Sequence, residues 1–110
     1  MKIAVASMGK ELSSKIDPRF GRARYIIIHD TRKSDFEVID NQEISQISMG
    51  AGVKAAEDIV DKNVDYVISQ NFGPKALQIF KAANVKAAVL SDVTVSEAIE
   101  LTKRKQANVI

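Results

Sequence analysis

Apolar and polar residues follow one another along the chain as short buried strands separated by amphipathic helices. Lys2–Ser7, Tyr66–Ser69 and Val85–Leu90 are nearly continuous apolar runs, which is the pattern of strands covered on both faces. Tyr25–His29 and Phe36–Asp40 flank the polar turn DTRKSD, and the second run alternates in polarity. These two are predicted to pair antiparallel, with the second at an edge of the sheet.

Three further stretches predict helices. VKAAEDIVDKN follows the Gly50-Ala51-Gly52 turn and has an apolar stripe at helical spacing. Pro74–Ala83 begins with proline, which suits the first helical position. Thr94-Val95-Ser96-Glu97 matches a capping box, and the third helix is predicted to run to about Lys105. Residues 8–24 are predicted to form a long polar loop.

The element order β-β-β-α-β-α-β-α predicts a mixed α/β sheet with helices packed against it. If the first strand runs upward, the second runs down, the other three run up and all three helices run down. Four connections then meet at the upper rim, and they are Met8–Arg24, Asn41–Gly52, Gln70–Pro74 and Ser91–Thr94. Ligands of open α/β sheets bind at this edge, beside helix N-termini, so a site is expected there.

Composition limits the classes of function. The 110 residues, 45% hydrophobic and 27% charged, predict a single globular domain over residues 1–110. A net charge of +2 is too small to indicate nucleic-acid binding, and no apolar stretch approaches the roughly 20 residues that span a bilayer. MKIAVAS lacks the longer apolar core of a signal peptide, so a cytoplasmic location is expected. The absence of cysteine excludes protein thiolate ligands.

Three arginines, Arg19, Arg22 and Arg24, surround the Phe20-Gly21 turn in the long loop. Guanidinium groups bind carboxylate or phosphate oxygens with two N–H groups at once, so these side chains are candidates for binding an anion. The alternative is that they pair with acidic residues on the same rim, namely Asp17, Glu11 or Asp92. Phe20 is either part of the site or a plug that closes the loop over the core.

Two glycine turns on the same rim are the other candidates. Gly50 and Gly52 allow a ligand to approach backbone amides, with Lys54 in the next turn; the alternative is a tight helix entry. Gly73-Pro74-Lys75 repeats this arrangement, and Lys75 stands at a helix start, where the dipole disfavours a cation. Convergence of cations and glycine backbone from three segments favours an anion site over solvated loops.

Other chemistries fit less well. His29 is the only histidine and is expected at the opposite rim, so neither a metal site nor a Ser-His-Asp triad is predicted. Met8 and Met49 carry thioether sulfur, although methionine more often fills gaps. Rim aspartates could hold magnesium, but the first strand, KIAVAS, lacks an acid for such a site. No catalytic residue is therefore assigned, and a nuclease or phosphotransferase is not expected.

The segments MKIAVAS, FGRARY, GAGVKAAEDIVDKNVDYVIS, FGPKAL, NVKAAV and TVSEAIE together resemble the dinitrogenase iron-molybdenum cofactor biosynthesis family. The resemblance covers nearly the whole chain, and FGRA and GPKA at this spacing are its more specific motifs. It implies a ribonuclease H-like three-layer fold whose five-stranded mixed sheet has the order 3-2-1-4-5, with strand 2 antiparallel and three helices.

The resemblance also implies a function and a site. It implies binding or carrying of an iron-sulfur or iron-molybdenum cluster precursor, an anionic cargo, for nitrogenase assembly, with cofactor assembly proteins as partners. The FGRA motif and the GAG and GPKA turns would line the site. Family members often have a histidine immediately before GAG, where this chain has Met49, so cradling by charge is expected instead of tight ligation.

The sequence therefore predicts a small non-enzymatic carrier of an anionic cluster or a similar anion. The predicted cargo-binding residues are Arg19, Phe20, Gly21, Arg22, Arg24, Met49, Gly50, Gly52, Lys54, Gly73 and Lys75. Two alternatives stay open at this point. One is an interaction module whose rim binds a partner's acidic patch, and the other is a nucleotide-binding protein.

Overall fold

The short apolar runs form one mixed sheet in the computed structural model, which describes residues 1–110. The six strands are β1 (Lys2–Ser7), β2 (Tyr25–Asp30), β3 (Phe36–Asp40), β4 (Tyr66–Ser69), β5 (Lys86–Val89) and β6 (Asn108–Val109). Their order across the sheet is β3-β2-β1-β4-β5-β6. β1 pairs parallel with β4 and antiparallel with β2, so β1 lies inside the sheet, as its continuous apolar sequence predicts.

Four helices accompany the sheet. They are α1 (Gln42–Ser45), α2 (Ala51–Val60), α3 (Pro74–Ala82) and α4 (Val95–Lys103). None of them has the length and apolar composition that crossing a bilayer requires.

The α/β class, the mixed sheet and the antiparallel second strand are confirmed, but the predicted numbers of strands and helices were wrong. The sheet has six strands because residues 108–109 pair antiparallel with the end of β5. The fourth helix is α1, a single turn inside the connection that was predicted to be a polar link. The ribonuclease H-like assignment stays a prediction.

Alternation along β1 separates two apolar layers. Ala4 and Ala6 face the cluster that α2 and α3 complete with residues such as Ile59 and Phe80. Ile3 and Val5 face the second cluster, which α4 completes. Because β1 is covered on both sides, it places the start of the residue 8–24 loop firmly at the upper rim.

The capping box at the start of α4 is present as predicted. The Thr94 hydroxyl accepts from the Glu97 amide at 3.1 Å, and the Glu97 carboxylate accepts from the Thr94 amide at 2.9 Å. These hydrogen bonds, with a smaller contribution from the charge of Lys15, lower the pKa of Glu97 below its usual value near 4.5.

Glu97→Gln is expected to destabilise the protein at neutral pH and to have less effect in acid. The folded-state pKa of Glu97 is lowered, so its carboxylate stabilises the fold above pH 4.5 and this contribution is lost as the pH falls through the folded-state value. Thermal unfolding of both proteins at pH 7 and at pH 3 measures the effect. An equal difference in melting temperature at both pH values would contradict a role for the charge.

Candidate functional site

Three rim segments meet at the carboxyl ends of β1 and β4. Residues 17–24 lie beside residues 71–73, because the Phe20 amide donates to the Asn71 carbonyl at 3.2 Å and the Asn71 side chain donates to the Pro18 carbonyl at 3.3 Å. The same loop contacts the beginning of α2 through Gly21. The expected convergence of FGRA, GAG and GPKA on one rim is therefore present in the structure.

The contact between Gly21 and Gly52 is backbone against backbone. A Cβ atom at Gly21 would lie 2.5 Å from the Cα atom of Gly52 and 2.6 Å from its nitrogen, closer than real Cβ atoms approach. Glycine is therefore required at position 21 so that the loop can rest on the first turn of α2. Gly50, which precedes that helix, has a φ of 78° and so adopts the left-handed conformation that glycine favours.

Phe20 fixes the loop to the core. Its side chain is only 2% exposed, and its ring centroid lies 5.3 Å from those of both Phe72 and Phe80. These tilted and edge-on contacts are the favoured arrangements of aromatic pairs. Phe20 thus closes the loop over the core, and the half-buried Phe72 beside it forms the floor of the site.

Asn41 also holds this loop in place. Sequence reasoning had not identified it. It is 1% exposed, and its side-chain amide donates to the carbonyls of Ala23 at 2.8 Å and Gly21 at 3.5 Å. Its backbone amide donates to the Arg24 carbonyl at 2.9 Å. An asparagine after a strand reads as an ordinary turn residue, so no sequence signal distinguished this anchor.

These contacts shape an open depression of about 500 Å³, here called the rim cleft. Its lining residues are Arg19, Phe20, Gly21, Arg22, Ser48, Met49, Gly50, Ala51, Gly52, Asn71, Phe72 and Gly73. Sequence reasoning had not selected Ser48, Asn71 or Phe72, although Phe72 directly precedes the GPKA turn, and it had included Ala51 only as part of the GAG turn. Met49 is the most prominent wall residue, with 85% of its surface exposed.

The remaining predicted residues lie at different distances from this cleft. Lys75 lines an adjoining depression of about 340 Å³, which shares Gly50, Gly52 and Gly73 with the rim cleft. Lys54 lines neither depression and forms an ion pair with Asp58 at 3.9 Å.

Arg24 also lies outside the cleft, in a separate polar group. Its guanidinium donates to the Gln42 side chain at 3.4 Å and lies 6.0 Å from the centre of the Tyr25 ring. In this group the backbone and side-chain amides of Gln42 hydrogen-bond to Asp40 and lower its pKa, with smaller contributions from the charges of Lys10 and Arg24. The charge of Arg24 is thus used beside Asp40, away from the rim cleft.

Two helices point their free amide ends at the cleft. The backbone N–H groups of Ala51, Gly52 and Val53 at the start of α2 have no acceptor within the chain, and the same holds for Lys75 and Ala76 at the start of α3. Neither helix has a side-chain N-cap. Unpaired amides and the positive ends of two helix dipoles therefore lie around the rim cleft and the depression that adjoins it.

The cations of the rim cleft and of the adjoining depression have no acidic partners. The five ion pairs of the chain involve none of Arg19, Arg22 or Lys75, so the alternative of pairing with Asp17, Glu11 or Asp92 is not realised. Arg19 and Lys75 are exposed and make no side-chain hydrogen bond, whereas the Arg22 guanidinium donates to the backbone carbonyls of Ser45, Ile47 and Ser48. Uncompensated positive charge thus accumulates at this end of the sheet.

A smaller depression of about 210 Å³ lies on the opposite rim and differs from the rim cleft in its charges. Its walls mix acids and bases, and Asp30 there pairs with Arg32 at 3.0 Å and with the N-terminal amine at 3.8 Å. Hydrogen bonds from Arg32 hold the pKa of Asp30 far below its usual range. Because its central charge is already neutralised, this depression offers less to a charged ligand than the rim cleft.

Comparison with known proteins identifies the family of the chain. Residues 1–105 match the family model described as dinitrogenase iron-molybdenum cofactor. The chain belongs to this family. The match spans all the elements that build the rim cleft, and the family connects the chain with nitrogenase cofactor biosynthesis.

Three proteins similar to this chain each cover more than nine-tenths of it. The apo form of the orange protein from Desulfovibrio gigas is 32% identical, with a TM-score of 0.94 over 99% of this chain and 92% of that one. A Thermotoga protein, described as a NifB-like member of the DUF35 family, is 37% identical, with a TM-score of 0.85 over 98% and 91% of the two chains. An uncharacterized protein of Methanocaldococcus jannaschii is 30% identical over 92% of this chain and 84% of its own length.

Proposed function

We propose that the protein is a non-enzymatic carrier of an anionic metal cluster, of the iron-sulfur or iron-molybdenum class, which it holds in the rim cleft. The observation that carries this proposal is the meeting of two uncapped helix N-termini with unpaired cations around the rim cleft and the depression that adjoins it. Family membership supplies the class of cargo. The structure of one relative is described as its apo form, which supports a family in which members also have a ligand-bound form.

The donor set of the cleft fits cradling better than ligation. No group of three or more His, Cys, Asp or Glu side chains in the chain is placed to hold a metal ion. The amides of Gly52 and Lys75 and the charge of Arg19 instead suit the outer atoms of a preassembled anion. Phe72 and the exposed thioether of Met49 provide a polarisable surface for sulfide-rich cargo.

The glycines leave room for such a cargo. At Gly50 and Gly73 a Cβ atom would meet nothing within 4 Å, so both positions are open on their outer side. Gly73 has an ordinary extended backbone with a φ of −74°, which any residue could adopt. The backbone conformation therefore does not require glycine at this position, and the missing side chain leaves room for a ligand to approach closely.

The direct test is anaerobic reconstitution with ferrous iron, sulfide and molybdate, followed by gel filtration, metal analysis and a visible absorption spectrum. The proposal expects iron, with or without molybdenum, to remain with the protein. A colourless, metal-free protein would reject cluster carriage. Binding of ATP or turnover of a phosphoester with magnesium, measured on the same sample, would favour a nucleotide-binding protein.

Arg19→Ala combined with Lys75→Ala is expected to weaken cargo retention about tenfold, because each exposed charge contributes about 0.5–1 kcal/mol. Both side chains are exposed and unpaired, so the melting temperature should stay near that of the wild type. The measurement is cargo retained across a concentration series of the reconstitution mixture.

Lys33→Ala combined with Arg104→Ala is the matched control. Both residues are exposed cations outside the rim cleft and outside the adjoining depression that holds Lys75, and the control removes the same net charge. Equal loss of retention in the two double variants would show that only overall charge matters and would contradict a site at the cleft. Retention unchanged in the Arg19/Lys75 variant would reject the assigned contacts.

A further inference from the structure

The Arg22 guanidinium is occupied by backbone carbonyls. Its Nη1 atom donates to the carbonyl of Ser45 at 2.9 Å and to that of Ile47, and its Nη2 atom lies 3.5 Å from the Ser48 carbonyl. These carbonyls belong to the end of α1 and the segment after it, where unpaired carbonyls and the negative end of the dipole attract a cation. One side chain thus gathers three carbonyls of a single segment.

The segment has few other attachments. Residues 46–50 are all exposed, and Ile47 retains 39% of its surface. α1 contains no fully buried residue, and only Ile44 packs against the core cluster. The bonds from Arg22 are therefore the main tie between this segment and the rest of the rim, and Ser48 and Met49 at its end form one wall of the rim cleft.

The two cleft arginines consequently differ in what they can offer a ligand. Both N–H groups on Nη1 of Arg22 are taken, whereas the Arg19 guanidinium has no partner within the chain. A ligand that took the Nη1 donors of Arg22 would free the carbonyls of Ser45 and Ile47 and release the wall. Arg19 can bind an anion without disturbing any existing contact.

We propose that Arg22 is a positioning residue that holds residues 45–49 in place as a wall of the rim cleft. Its effect on cargo rests on the proposed carrier function, whereas its effect on the segment does not. Shape is essential to this role, because the planar guanidinium presents donors to separate carbonyls and the compact ammonium of lysine cannot span the same set. Arg22→Lys therefore keeps the charge and removes the tie.

Hydrogen exchange of the protein without cargo tests the tie. The amides of Ser45, Gln46 and Ile47 donate to the carbonyls of Asn41, Glu43 and Ile44, and they report on the order of the segment. Arg22→Lys is expected to accelerate their exchange about tenfold, since the hydrogen bonds of a charged donor are lost. Amides of β4 should be unaffected. Arg19→Lys is the control and should leave the exchange of all of these amides unchanged. Wild-type exchange at all three segment amides in Arg22→Lys would overturn the proposal.

Cargo retention after the same reconstitution provides the second readout. Arg22→Lys is expected to lose as much retention as Arg22→Ala, while Arg19→Lys should retain more than Arg19→Ala. If Arg22→Lys retained cargo as the wild type does, charge alone would explain Arg22 and the proposal would fall. If the wild type held no cargo, carrier function would be rejected and the exchange result would still decide whether Arg22 ties the segment.

Discussion

Replacing Gly21 with alanine is expected to lower the free energy of unfolding by about 3 kcal/mol, the upper end of the usual range for overpacking. The new methyl group would lie 2.5 Å from the Cα atom and 2.6 Å from the nitrogen of Gly52, so it meets backbone that no rotamer change can move aside. Either the FGRA loop or the first turn of α2 must shift. Chemical denaturation of the two proteins measures the loss.

The same substitution is expected to abolish cargo retention. The contact between Gly21 and Gly52 sets the distance between the arginine loop and the amides at the start of α2, and both line the rim cleft. A shift of the order of 1 Å separates groups that must act on one ligand together. Retention should fall even at temperatures where the variant is fully folded by circular dichroism.

Gly52→Ala makes the same chemical change on the other side of this contact. Its Cβ atom would meet only the Cβ atom of Ala76, at 3.8 Å, which is ordinary van der Waals contact. The variant should be as stable as the wild type or slightly more stable, because alanine favours a helix over glycine. Comparable destabilisation by the two substitutions would contradict the view that Gly21 is required by backbone contact.

The sequence predicts the parts of the fold that depend on periodicity. The continuous apolar run of β1 predicts burial on both faces, and the polar positions of β3 predict an edge strand. The order 3-2-1-4-5 of the first five strands was implied by the family resemblance and is present in the sheet. α1 and β6 were missed because a single turn and a two-residue strand have no period to detect. β6 exists only through its pairing with β5, which is a tertiary contact.

The candidate site likewise has features that the sequence predicts and features that it does not. Tracking strand direction brings Gly21, Gly52 and Gly73 to one rim, and the structure places them there. The hydrogen-bond partners of the side chains cannot be predicted in this way. The three arginines look equivalent in the sequence, yet Arg19 is free, Arg22 bonds to carbonyls and Arg24 turns towards Gln42. The hydrogen-bond partners of Arg22 and Arg24 are at least 18 residues away along the chain, and Arg19 has no partner.

Gly73→Asp is expected to have opposite effects on stability and on cargo. Gly73 is the N-cap residue of α3 and has an extended backbone with open space around its missing side chain. Aspartate fits this conformation, and its carboxylate can accept from the free amides of Lys75 and Ala76. Stability should rise by a few tenths of a kcal/mol, since glycine is only slightly worse than aspartate as an N-cap.

The same carboxylate would occupy the cleft with negative charge. It replaces unpaired amides by an acceptor and repels an anion at a distance where unit charges interact by about 2–3 kcal/mol at intermediate effective dielectric. Cargo retention is therefore expected to fall roughly 100-fold while the melting temperature increases slightly. Reconstitution across a concentration series, with thermal unfolding of the same samples, measures both effects.

Gly73→Asn separates charge from size. Asparagine has nearly the same shape and is an equally good N-cap, so it occupies the same space and bonds the same amides without a charge. If the cleft binds its ligand by positive potential, the asparagine variant should retain more cargo than the aspartate variant. Equal loss of cargo retention in both variants would mean that steric access or the α3 amides alone decide binding. Full retention in both variants would mean that the cargo binds elsewhere. Because the amides of α3 are satisfied in both variants, any difference between them reports the electrostatic attraction of the cleft itself.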